Sequence, residues 1–100
     1  MYIRLGETMK IRVLPHALKH GIDEESVAYA WQSSIRCRQR NGTDGPAIWI
    51  AIGVLPDGRM AELAAFQDED AYWCVFHAKA PPTKKFIKEL DMNRGRHGRN

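Results

Sequence analysis

The span from Ala47 to Ala78 reads as three consecutive antiparallel strands with tight connections, and it dictates most of what a chain of 100 residues can become. Ala47-Ile48-Trp49-Ile50-Ala51-Ile52-Gly53-Val54-Leu55 is almost wholly apolar, so both of its faces must be covered. Pro56-Asp57-Gly58 then turns the chain: proline presets φ, aspartate bonds to nearby backbone, and glycine accepts a positive φ. From Arg59 to Gln67 the pattern alternates, with Met60, Glu62, Ala64 and Phe66 on one face and Ala61, Leu63 and Ala65 on the other. Gln67-Asp68-Glu69-Asp70 is a polar turn. The third strand, Ala71 to Ala78, is expected to place Tyr72, Cys74, Phe76 and Ala78 on one face and Trp73, Val75 and His77 on the other.

The flanking segments have to supply the cover. Met1 to Leu5 reads as a short strand broken by Gly6-Glu7-Thr8, and Met9 to Leu14 as a strand near a sheet edge; Met9 is also a second candidate start. Pro15 ends that strand and suits the first turn of a short helix, His16 to His20, which Gly21 closes. Asp23 is a helix cap, Glu24 and Glu25 suit the positive end of the helix dipole, and Ile22 and Val27 are placed as a staple. Val27, Ala30, Trp31, Ser34 and Ile35 follow with helical spacing. Arg36, Arg38 and Arg40 have a period of two, one face of a strand whose other face holds Cys37 and Gln39, before the turn chemistry of Asn41 to Pro46. After Ala80-Pro81-Pro82, Thr83 caps a last helix to about Met92 that buries Phe86, Ile87 and Leu90. The expectation is an α+β fold: a small antiparallel sheet, made of the meander plus an N-terminal strand, packed against two or three helices. One domain spans residues 1–93, and 94–100 is a basic, disordered tail.

The net charge of +3 hides an asymmetry. Residues 1–34 balance. Residues 35–40 carry three arginines, 41–78 carry six carboxylates against Arg59 alone, and 79–100 carry seven cations against two carboxylates. Two basic clusters that converge in space attract polyanions or an acidic protein; two that stay apart are a solvated surface. No apolar run approaches the roughly 20 residues a membrane span needs. The N-terminus has no secretory signal pattern, so a cytoplasmic protein with reduced Cys37 and Cys74 is expected.

Three constellations bear on chemistry. His16 and His20 are four apart, a metal-compatible spacing with no third ligand at a familiar distance, so no metal or other cofactor is expected. Tyr72, Trp73 and Trp49 are candidates to stack bases, although in so small a domain Trp49 and Trp31 belong in the core. His77 closes the third strand, Lys79 follows on its face, and Lys84, Lys85 and Lys88 come next on the last helix. An imidazole among cations suits proton transfer near neutral pH, and the cations suit a phosphoryl group. The bland reading is a half-buried strand histidine beside a wet, lysine-lined helix.

Leu18-Lys19-His20-Gly21-Ile22, running into Asp23-Glu24-Glu25-Ser26-Val27, resembles the BrnT family of bacterial toxins, which look like small relatives of the RelE-type ribonucleases. Ile50-Ala51-Ile52-Gly53, Gly58-Arg59-Met60-Ala61-Glu62-Leu63 and Val75-Phe76-His77-Ala78-Lys79 follow that family's order of strand, Gly-Arg turn, strand and final strand opening into a basic helix, over residues 10–92. The resemblance implies a RelE-like fold and a type II toxin that cleaves RNA without metal. It also implies a small antitoxin as partner, with DNA bound only through the complex of the two. Carried over by position, His20, Arg59, His77 and Lys79 form the catalytic candidates. Lys84, Lys85 and Lys88, with Arg36, Arg38 and Arg40, are the candidates to bind RNA phosphates. Many relatives carry a Ser-Ala-Arg-like step where this chain has His77-Ala78-Lys79, and lysine lacks arginine's bidentate fork. The alternative is a non-catalytic module of the same fold that binds nucleic acid or the antitoxin.

Overall fold

The computed structural model describes residues 9–40 and 44–91. The expected strand at Met1–Leu5, the turn at Asn41–Thr43 and the tail lie outside them; the last helix, expected to reach about Met92, ends at Glu89, with Leu90 as its C-cap and Asp91 at a positive φ of 58°. The elements are β1 (Ile11–Val13), a 3-10 turn (Pro15–Leu18), α1 (Glu24–Gln32), β2 (Arg36–Gln39), β3 (Trp49–Val54), β4 (Met60–Gln67), β5 (Trp73–Lys79) and α2 (Lys84–Glu89). The fold is α+β, with one five-stranded sheet in the order β1-β5-β4-β3-β2.

Within the meander, β3 and β4 pair as their alternation dictates, Trp49 opposite Ala65 and Val54 opposite Met60. Two features of the sheet differ from the expectation. It is mixed, because β1 runs parallel to β5, with Ile11 opposite Trp73 and Val13 opposite Val75. The segment carrying the 3-10 turn and α1 then returns the chain to β2 at the far edge, where the arginine run adds a fifth strand antiparallel to β3. Strand alternation looks the same in parallel and antiparallel pairs, so periodicity does not distinguish them.

Each face of the sheet carries its own core. On one, Val27, Ala30 and Trp31 of α1 pack on Ala51, Leu63, Ala65, Val75 and Ala78. Asp23 caps α1, accepting from the Ser26 N–H at 2.8 Å. Such a cap stabilises a helix by about 1 kcal/mol. The helix ends at Gln32, so Ile35 is exposed instead of continuing the buried stripe. Gly53 is what lets α1 approach β3: a Cβ there would intrude on the Ala30 carbonyl. On the other face Ile50, Ile52 and Ala64 pack beneath Phe86 and Leu90, with Ile48 and Phe76 at the margin. Thr83 caps α2, its hydroxyl accepting from the Phe86 N–H.

A bulge in β5 decides where the functional side chains point. Ala64 faces His77, but the next residue of β4, Ala65, faces Val75. Phe76 is the extra residue, and the alternation shifts phase across it. His77 therefore lies on the α2 face with Ala64, not on the face of Trp73 and Val75 as simple alternation requires. Lys79, opposite Glu62, shares that face.

Candidate active site

Glu62 is the only buried charged residue among those described, with its side chain 3% exposed. It stands in the middle of the sheet, between Ile52 of β3 and Lys79 of β5. Burial of an unpaired carboxylate costs several kcal/mol, so its partners matter. One oxygen lies 2.6 Å from the Thr83 N–H nitrogen and 2.8 Å from the Thr83 hydroxyl; the other lies 2.7 Å from His77 Nε2. Burial alone pushes the Glu62 carboxyl up. The Thr83 N–H, His77 and the Thr83 hydroxyl outweigh that push and hold it below the ordinary carboxylate range.

His77 is anchored by that carboxylate, which corrects the expectation of an imidazole whose immediate neighbours are cations. Its side chain keeps 23% exposure. Its ring stacks on Phe86 at 5.6 Å between centroids and meets the edge of His20 at 5.8 Å. His20, just past the 3-10 turn, is exposed. Partial desolvation beside these rings, then the neighbouring Lys19, His77 and Lys79, hold its pKa below the ordinary histidine value, against an opposing pull from Glu62. An imidazole that holds its proton less readily than usual thus sits against a second imidazole that has a carboxylate behind it.

The structure brings His20, His77 and Lys79 together and leaves Arg59 elsewhere. Arg59 lies at the β3–β4 turn, its Nε 2.8 Å from the Asp57 carboxylate, and lines a cleft with Gly21, Ile22 and Asp23. The two basic segments do meet, through acidic residues. Arg38 donates to the Glu89 carbonyl and to Asp91, and Arg40 holds the Glu89 carboxylate. Arg36 stays exposed, as do Lys84, Lys85 and Lys88 on α2. The base-stacking candidates are engaged within the protein: Trp73 packs on Trp31 and Trp49, and Arg12 covers Tyr72 at 3.9 Å. Cys74 is buried and Cys37 exposed, both free thiols. Among the described residues no group of three His, Cys, Asp or Glu side chains is arranged to hold a metal ion.

Three participants were not singled out in the sequence. Glu62 had a signal, as a lone carboxylate on an otherwise apolar strand face. Lys19 had one in its place beside His20. Thr83 read only as a helix cap. No family model, curated protein or solved structure matches this chain. No described helix is long and apolar enough to cross a membrane.

Proposed function

We propose that this chain is the toxin of a type II toxin–antitoxin pair, BrnT-like in sequence and RelE-like in fold, and that it cleaves RNA without a metal. The observation that carries the reading is the pair of imidazoles 5.8 Å apart, His20 and His77, with Lys19 and Lys79 close to His20. RNA transesterification asks for that set. A base removes the 2′-OH proton, the 2′-oxygen attacks phosphorus, the bond to the 5′-oxygen breaks, and an acid protonates the leaving oxygen. His20, its pKa lowered, is the base. His77, with a carboxylate at its back, is the acid. Lys79 and Lys19 balance the charge that develops on the phosphorane. Lys84 and Lys85, in the first turn of a helix that Thr83 ties to Glu62, extend the cationic surface toward the RNA backbone.

The exposed lysines of α2 and Arg36 favour the second reading, a module that binds RNA or an acidic antitoxin without turnover. Incubation of single-stranded RNA with the protein in excess chelator separates the two. Cleavage to 2′,3′-cyclic phosphate ends, absent in His77→Ala and His20→Ala, supports the nuclease. Salt-sensitive binding with intact RNA in every sample leaves the binding module. In cells, growth arrest on induction, relieved by a small protein from the adjoining reading frame, supports the toxin assignment.

A further inference from the structure

Glu62 has two oxygens, and their partners differ in kind. One faces the Thr83 N–H, which can only donate, and the Thr83 hydroxyl. That hydroxyl accepts from the Phe86 N–H, so its own proton is directed to Glu62. Among the described residues the other oxygen faces only His77 Nε2, at 2.7 Å. An ionised carboxylate has no proton to give, so the nitrogen facing it must carry one. From this arrangement we infer that Glu62 is the positioning residue of the site, holding His77 with its proton on Nε2 and leaving Nδ1 as the nitrogen that exchanges protons with a substrate.

The inference rests on the nuclease reading only for its use, not for its geometry. In that reaction His77 enters as the imidazolium with a proton on each nitrogen: the Nδ1 proton goes to the departing 5′-oxygen, the Nε2 proton stays in its bond to Glu62, and the neutral Nε2–H ring is what remains. Thr83 matters as much as Glu62, because its two donors stop the carboxylate from turning. They also tie the imidazole's orientation to the docking of α2, since Thr83 is that helix's cap. The same arrangement makes a specific prediction for Glu62→Gln. The Thr83 N–H still requires an oxygen, so the amide must present its NH2 group to His77. Nε2 then has to accept, and the proton moves to Nδ1.

The test is nitrogen-15 correlation spectroscopy of the imidazoles in the full chain, read at alkaline pH where the ring nitrogens show the neutral pattern. The wild-type protein should show His77 as the Nε2–H tautomer, and Thr83→Ser should keep it. Glu62→Gln should invert it, and Thr83→Val, which loses the hydroxyl but keeps the N–H, should do so in part or not at all. Proton on Nδ1 in the wild type, or an unchanged tautomer in Glu62→Gln, overturns the inference. If Glu62→Gln does not fold, the wild-type spectrum still decides. RNA cleavage measured alongside keeps the two ideas apart: the expected tautomers without cleavage retire the nuclease and leave this assignment standing, whereas His77-dependent cleavage with the wrong tautomer does the reverse.

Discussion

Arg40 holds Glu89 with both sides of its guanidinium, Nε 2.9 Å from one carboxylate oxygen and Nη2 2.9 Å from the other. This fork joins the residue that follows β2 to the C-terminal end of α2, while Thr83 joins the other end to Glu62. The pair is about 30% exposed on each side, so solvent screens part of its strength. Arg40→Met is expected to cost about 1 kcal/mol and to raise amide exchange in α2 more than in β4. Denaturant melts and hydrogen exchange would check both, and equal acceleration in β4 would show that α2 is not separately latched.

Gly53 stands in the path of α1. A methyl group there cannot be absorbed by a side-chain movement, because the atom it meets is backbone, the Ala30 carbonyl. Gly53→Ala should destabilise the domain by about 2–4 kcal/mol as α1 is pushed from the sheet. A thermal melt within a degree or two of wild type would contradict this packing.

Acid should act on Glu62. Its pKa is depressed in the fold below the ordinary 4.5, so the stabilisation from the ionised group is complete above that value and is lost as pH falls through the folded one. The gap in melting temperature between wild type and Glu62→Gln should narrow from about pH 6 to about pH 3. A gap that stays constant, or widens in acid, would mean that the carboxylate is not charged in its pocket.

If the chain cleaves RNA, the effects of substitution should follow proximity to the two imidazoles. His77→Ala and His20→Ala should each lower the rate by about 100-fold or more, and Lys79→Ala by about 10-fold or more. Arg12→Gln removes a cation held by Asp68 at the opposite end of β5 and serves as the control. A control as impaired as Lys79→Ala would reduce the lysine's role to general charge.

Ile87 is only half-buried and Ile35 falls beyond the end of α1, but the meander, the Asp23 and Thr83 caps, and the burial of Val27, Ala30, Trp31, Phe86 and Leu90 were legible in the sequence. They rest on local rules: alternation, turn chemistry and capping. The partner of β1 was not, because Ile11 and Val13 alternate identically whichever way the neighbouring strand runs. The side of the sheet that His77 occupies was not either, because nothing in Val75-Phe76-His77 marks a bulge. His20 and His77 stood out as imidazoles, yet the carboxylate that joins His77 to α2 comes from another strand and reads locally as one letter in an apolar run. Arg59 shows the reverse: a prominent cation whose own turn supplies its partner, Asp57.

The extra residue in β5 gives that strand two phases, one before Phe76 and one after it. Counting residues along the chain thus misassigns every position beyond it. A relative that lacks the extra residue would match this strand letter for letter over only one half. Comparisons through this strand therefore need a one-residue gap, placed where inward and outward side chains fall back into step.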